Sequence, residues 1–231
     1  MKVLSTEFVT SAAAGGRADG IPDDGLAQIA FAGRSNVGKS TLLNALARTK
    51  LARTSAAPGK TRLANIYRIV ADGGPGGPGR WSVYFVDLPG YGYARGGADS
   101  ATELAAVAAA YFGVATPGAR HVRGAIGAAG SDADAPLKSR PASVSILHLI
   151  DARHPGLKSD IQASRWFDSL GVVRHVVATK IDKLSRSERT RNLTELERVL
   201  GHAPLPVSAA SGEGLDDLWR LMAKLARDQH R

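Results

Sequence analysis

Gly33-Arg34-Ser35-Asn36-Val37-Gly38-Lys39-Ser40 is the stretch whose reading decides the fold. It matches G-x-x-x-x-G-K-[ST] and lies between an apolar run at 28–32 and a helix-length segment at 39–49, the strand–loop–helix setting that the pattern requires. Its glycines let backbone amides turn inward around phosphate groups, and the start of the helix adds a partial positive charge. Lys39 would reach the β and γ phosphates of a nucleoside triphosphate, and the Ser40 hydroxyl would bind magnesium. A glycine-rich turn can also be purely structural, but the full motif in this setting favours a phosphate cradle.

Outward from this loop, short apolar segments alternate with helix-length ones, the pattern of a largely parallel sheet covered by helices. Strands are expected at 28–32, 64–70, 81–87, 144–151, 172–179 and 205–208, and helices at 39–49, 101–112, 158–170, 185–200 and 215–228. The link Asp72-Gly-Gly-Pro-Gly-Gly-Pro-Gly-Arg80 is too short for a crossover helix, so the strands on either side of it should pair as an antiparallel hairpin. The expected fold class is therefore α/β: a six-stranded, mostly parallel sheet with one antiparallel strand and helices on both faces. In the last helix Leu215, Leu218, Trp219, Met222 and Leu225 recur at helical spacing, which makes Trp219 a core residue rather than a ligand-stacking one. Residues 113–141 shift to Gly, Ala and Pro with scattered charge and read as an insertion, His121 and Arg123 within it being solvated. Residues 1–25 read as a lead-in and 26–231 as one domain carrying the insertion.

Three further motifs stand where ligands bind in such sheets. Asp87-Leu88-Pro89-Gly90 closes an apolar strand, where a carboxylate can hold magnesium through water and the Gly90 amide can meet a γ-phosphate. Thr179-Lys180-Ile181-Asp182 closes another. The Asp182 carboxylate can accept from both N1–H and the 2-amino group of guanine, a pair of donors that adenine lacks, while the Lys180 stem lies along the base. Ser208-Ala209-Ala210 would close over the base. Thr61, in Pro58-Gly59-Lys60-Thr61, can complete magnesium coordination when the triphosphate is bound and let go after hydrolysis, and is favoured over the alternative, Thr54. Asp-x-Pro-Gly and Thr-Lys-x-Asp are each ordinary loop sequences in isolation, and their weight comes from their order and placement.

Composition excludes several classes. With no cysteine there is no disulfide, thiolate metal site or cysteine nucleophile. The N-terminus has too short an apolar stretch for a signal peptide, and the weakly apolar run at 104–115 falls short of a membrane span, so a cytoplasmic location with no membrane contact is expected. Thirty Lys and Arg against 21 Asp and Glu give a formal charge of +9, a field that draws a protein toward polyanions such as RNA, although a basic solubility charge looks the same.

Taken in order, GRSNVGKS, PGKT, DLPGYGYA (87–94), TKID and SAAS, with the lead-in EFVTS (7–11) and DARHP (151–155), resemble the bacterial EngB family of Ras-like ribosome-biogenesis GTPases, from about Glu7 to Leu225. The resemblance implies GTP and GDP binding by a cytoplasmic protein that assists late assembly of the large ribosomal subunit and is linked to normal septum formation; a monomer with slow intrinsic hydrolysis is expected. It places nucleotide contacts at Gly33 to Ser40, at Gly59, Lys60, Thr61, Arg62 and Leu63, at Asp87 to Gly90, at Thr179 to Asp182, and at Val207, Ser208 and Ala209. Ser40, Thr61 and Asp87 would hold Mg2+, Lys39, Thr61 and Gly90 would carry catalysis, and Asn36 stands where related cation-stimulated GTPases hold K+.

Two departures matter. Tyr91 follows DLPG where Ras-type enzymes place a water-orienting glutamine, and it cannot do that work in the same way. Thr179 stands where many GTPases carry asparagine, which is expected to remove the amide that ties the base loop to the phosphate loop. A phosphate-loop kinase or ATPase is the alternative enzyme, opposed by Asp182. An RNA-binding scaffold with a structural nucleotide is the alternative from another class.

Overall fold

The computed structural model describes residues 1–13, 21–51, 63–73, 79–91, 107–108, 111–112 and 144–227. The expected contacts at Gly59, Lys60, Thr61 and Arg62, the insertion at 113–141 and Arg95, a basic residue expected to meet RNA beside Asp87 to Gly90, lie outside them. So does most of the helix expected at 101–112, of which 107–108 and 111–112 are helical.

The elements in chain order are β1 (Lys2–Ala13), β2 (Gln28–Gly33), α1 (Lys39–Ala47), β3 (Leu63–Asp72), β4 (Arg80–Asp87), β5 (Val144–Asp151), α2 (Lys158–Ser169), β6 (Val173–Thr179), a 3-10 turn at Ile181–Lys183, α3 (Arg186–Leu200), β7 (Leu205–Pro206) and α4 (Leu215–Arg227). They form one sheet of order β1-β3-β4-β2-β5-β6-β7. β3 and β4 pair antiparallel from Asn65↔Asp87 to Asp72↔Arg80, the hairpin that the short glycine-rich link demands. β2 pairs parallel with both β4 and β5, so β3 alone runs against the rest.

The sheet has seven strands rather than the expected six, because the N-terminal residues add β1 along the outer edge of β3. Register shifts between Val3 and Ser5 and between Phe8 and Thr10 break the two-residue alternation of β1, and that alternation is the sequence signal of a strand. Other boundaries move slightly. α1 ends at Ala47 because Arg48 turns left-handed (φ 54°), and β7 is only two residues long, Pro206 having no N–H to extend the ladder.

β2 and β5 are buried along their whole length, as parallel strands covered on both faces must be. On one face Phe31, Phe85 and Leu43 pack with Trp219 and Met222 of α4. Trp219 is 4% exposed, with its ring 5.8 Å from Phe85 and 6.1 Å from Trp81, so it is indeed a core residue. On the other face Ile66, Val86, Ile146 and Phe167 form a second cluster with Tyr111 and Phe112, and α3 closes a third through Leu196 and Leu200. Each large apolar side chain so buried contributes about 1.5–3 kcal/mol, and the result is a rigid sheet whose parallel strands deliver their C-terminal ends to one edge.

Candidate functional site

Chain segments leave the sheet at that edge after β2, β4, β5, β6 and β7. The loop after β2 turns on two left-handed residues, Asn36 (φ 65°) and Gly38 (φ 104°), and the Val37 N–H closes it on the Arg34 carbonyl at 3.0 Å. Gly33 has no room for a side chain, since a Cβ would come within 2.8 Å of Val37 Cγ1 and 2.9 Å of the Leu149 carbonyl. α1 begins at Lys39 with no side-chain cap and no acidic residue in its first turn, so its leading amides have no carboxylate competing for them.

Asp87, at the end of β4 and paired with Phe31 of β2, lies beside this loop. Its carboxylate accepts directly from Lys39 Nζ, both side chains being almost buried. Beyond it the chain stays zipped to the phosphate loop: Leu88 N–H donates to the Phe31 carbonyl (3.2 Å), Tyr91 N–H to the Gly33 carbonyl (3.3 Å), and Ser35 N–H to the Tyr91 carbonyl (2.9 Å). Gly90 sits so close that a Cβ would meet Ser35 Oγ at 2.9 Å and Ser35 N at 3.1 Å. The Tyr91 hydroxyl faces inward, toward His148 and Asp160, which agrees with its unsuitability for orienting a water at the phosphates.

The segment after β6 corrects one expectation. Thr179 Oγ1 lies 2.7 Å from the Val37 carbonyl and 3.1 Å from that of Ile150, so a hydroxyl supplies the tie between base loop and phosphate loop that the missing asparagine amide was expected to leave open. Lys180 is left-handed (φ 59°) and runs back over the phosphate loop, its Cε 3.5 Å from where a Gly38 Cβ would stand and its Nζ donating to the Asn36 carbonyl at 2.5 Å. Asp182 follows on the 3-10 turn, and its Oδ1 accepts from Ser208 Oγ at 2.7 Å. That bond, with Lys183 nearby, holds the Asp182 carboxyl below its usual range and so ionised, an acceptor ready for two donors. Ser208 is fully buried, and Val207 N–H anchors its segment to the Ala178 carbonyl at 2.8 Å. The structure therefore brings together Gly33 to Ser40, Asp87 to Gly90, Thr179 to Asp182 and Val207 to Ala209. Leu63 opens β3 at the border of the described residues.

Asp151 was missed as a site residue. It ends β5 and accepts from Lys180 Nζ (3.0 Å) and from Arg153 Nη2 (2.8 Å), orienting the lysine that crosses the phosphate loop. Partial burial opposes its ionisation, but the bonds from Arg153 and Lys180 outweigh this and bring its carboxyl down to about 2. The available signal was its place as the first residue of DARHP at the end of a parallel strand, where site residues gather.

Residues 28–180 match the family model described as 50S ribosome-binding GTPase. Over 221 residues the chain is 38% identical to the probable GTP-binding protein EngB of Solibacter usitatus, covering 95% of each. It is 35% identical over 233 residues to that of Anaeromyxobacter sp. (strain K), covering 99% of this chain and 94% of that one. Its fold is similar to the crystal structure of Aquifex aeolicus Era bound to GDP and AlF4− (TM-score 0.61, 23% identity, 86% of this chain and 56% of that chain). It is also similar to that of a probable GTP-binding protein engB (TM-score 0.55, 19% identity, 87% and 100%). With the family model matched over 28–180 and these relatives 35–38% identical over nearly the whole chain, the chain belongs to the EngB family of GTP-binding proteins and is a GTPase that binds GTP and GDP.

Proposed function

We propose that the chain is a nucleotide-controlled switch in assembly of the large ribosomal subunit, working as a cytoplasmic monomer and linked to normal septum formation. The observation that carries the nucleotide half is the pairing of two loops: Thr179 clasps the phosphate loop at Val37 while Ser208 presents Asp182 three residues on. The ribosomal half is supported by the +9 charge and by the ribosome-binding description of the matched family.

In this reading residues 26–231 act as one G domain with 113–141 inserted. The amides of Gly33 to Ser40 and the Lys39 ammonium hold the phosphates, Asp182 selects guanine with Lys180 alongside it, and Val207 to Ala209 close the base pocket. Gly59 to Leu63 form the loop that answers to the γ-phosphate, with Asp87 to Gly90 opposite. Ser40, Thr61 and Asp87 would hold Mg2+. The hydroxyl and carboxylate oxygens are hard donors that suit it, and Ser40 adjoins the very residue whose ammonium meets Asp87. When bound, the ion supplies charge neutralisation between the phosphate oxygens. Phosphate also competes with Asp87 for Lys39, so nucleotide binding and release of that ion pair are one event. The exposed Asn36 side chain, on its left-handed turn, is the candidate for K+, and equal hydrolysis rates in potassium and sodium would remove it.

The decisive experiment is sedimentation of the full chain with purified large ribosomal subunits at low salt in GTP, GDP and no nucleotide. Cosedimentation in GTP that weakens in GDP supports the reading. Equal pelleting in both removes the switch, and absence in both removes the ribosome.

A further inference from the structure

A buried polar network behind the phosphate loop is used by none of the roles above. Tyr91, His148 and Asp160 are 6%, 0% and 2% exposed and come from the segment after β4, from β5 and from α2. Tyr91 Oη lies 2.6 Å from His148 Nε2 and 3.0 Å from Asp160 Oδ1. Two guanidinium groups flank the trio, Arg34 acting on Tyr91 and Asp160, and Arg174 on Tyr91 and His148. Arg174 is itself fixed by Asp168 of α2, its Nε and Nη2 donating at 2.8 and 3.1 Å.

The protons can be placed. Burial, reinforced by the Asp160 charge and hydrogen bond, pushes the Tyr91 hydroxyl well above its usual range, and burial with the nearby Arg174 charge brings His148 down to about 3, so both are neutral. His148 Nδ1 is buried with no hydrogen-bond partner among the described residues, and the positive field of Arg174 favours a lone pair there over an N–H. His148 then donates from Nε2 to Tyr91 Oη, and Tyr91 donates its single proton to Asp160 Oδ1. Each bond of the chain has one donor and one acceptor, and it ends on the Asp160 carboxyl, which burial pushes above its usual range while the Tyr91 hydrogen bond and the Arg34 charge oppose that shift.

Tyr91 is therefore held at both ends. Its backbone is zipped to Gly33 and Ser35, and its hydroxyl is anchored to β5 and α2, while Gly90, the residue just before it, has no free space against Ser35. A loop so fixed cannot drift without breaking a buried hydrogen bond, and catalysis by positioned amides depends on such placement. We propose that Asp160 and His148 are positioning residues for GTP hydrolysis, holding the Tyr91 hydroxyl so that the adjoining Gly90 amide stays set at the phosphate loop. This rests on the reading of Gly90 as a γ-phosphate donor.

The test measures kcat at saturating GTP, the Kd for GDP and the melting temperature of the full chain for Tyr91→Phe, Asp160→Ala, Asp160→Asn, Gly90→Ala and the Tyr91→Phe/Asp160→Ala double. Tyr91→Phe and Asp160→Ala are each expected to lower kcat about tenfold, the scale of one lost hydrogen bond to a charged group. GDP affinity should stay within about twofold in both. The double should be no slower than either single, and Asp160→Asn, whose amide oxygen still accepts from Tyr91, should restore most of the rate. A fall in melting temperature with kcat unchanged, or additive losses in the double, overturns the proposal and leaves the network purely structural. Gly90→Ala separates the two readings. If it leaves kcat intact, the role of Gly90 fails. If it lowers kcat while the Tyr91 and Asp160 variants do not, only the positioning role fails.

Discussion

Thr179 hydrogen-bonds through its hydroxyl to the carbonyl of Val37 at 2.7 Å, joining residues that are 142 positions apart in the chain. The contact is buried, so removing it leaves the Val37 carbonyl without this donor at a cost of about 1–3 kcal/mol. Thr179→Val keeps the shape and loses only the hydroxyl. It should weaken both GDP and GTP binding by about fivefold or more, because the base loop and phosphate loop are no longer held at a fixed distance. Titration of a fluorescent guanine nucleotide checks this, and unchanged affinity would show that Lys180 alone keeps the loops together.

Asp182 should set the choice of base. Its carboxylate is ionised and aimed by Ser208, and guanine offers it two donors. Asp182→Asn exchanges one acceptor for a donor, which matches xanthine in place of guanine. The variant should therefore prefer XDP over GDP in a competition assay, and a retained preference for GDP would sink the assignment. Ser208→Ala leaves the carboxylate in place but frees it, so GDP affinity should fall with no change of preference.

The loops that carry these residues were legible in the sequence because their chemistry needs particular residues at fixed spacing: Gly33, Gly38, Lys39 and Ser40 on one turn, Asp182 three places after the residue that ends β6. The central strands were legible for a different reason, since burial on both faces makes β2 and β5 largely apolar, with only Gln28, Ser145, His148 and Asp151 as polar or charged side chains. β1 was not, because its register shifts at Leu4 and Val9 erase the alternation that marks a strand. Long-range side-chain partnerships were beyond reach too. Nothing local says that the hydroxyl of Thr179 finds Val37, or that Tyr91, His148 and Asp160, on three different elements, share one buried cluster.

His148 makes stability depend on pH with a definite sign. Its folded pKa is about 3 against an ordinary 6.5, lowered by burial and then by Arg174, so between these values the unfolded chain binds a proton that the folded chain refuses. Stability contributed by neutral His148 is full above pH 6.5 and declines as pH falls toward 3, at up to about 1.4 kcal/mol per pH unit. His175 is shifted in the same direction by burial and adds to the slope. Asp151, brought from 3.8 to about 2, contributes stability that is fully present above pH 3.8 and is lost as pH falls from there toward 2. Denaturant unfolding of the wild type and of His148→Gln at pH 7, 6 and 5 should therefore show a shallower loss in the variant, and parallel curves would contradict the assignment.

The basic face can be tested residue by residue, because the structure separates charges that the sequence could not rank. Lys183, Arg186, Arg189 and Arg191 are the candidate contacts for rRNA among the described residues. Arg186 and Arg191 are exposed on α3, and Lys183 is exposed on the preceding turn, though it pairs loosely with Asp182 at 3.4 Å. Arg189 is only half-exposed and already bonded to Glu213 at 2.6 Å, so its charge is partly spent within the chain. A side chain that meets phosphate releases a counterion, and losing it weakens binding while flattening the dependence on salt by about one unit of slope. Arg186→Glu and Arg191→Glu should therefore reduce pelleting with large subunits in GTP and lower the salt slope, whereas Arg189→Ala should do less of both. None of the three lies among the nucleotide contacts, so affinity for GDP should be unchanged and serves as the control for folding. If the Arg186 and Arg191 reversals leave the salt dependence untouched while the wild type still pellets, rRNA meets a different face of the protein.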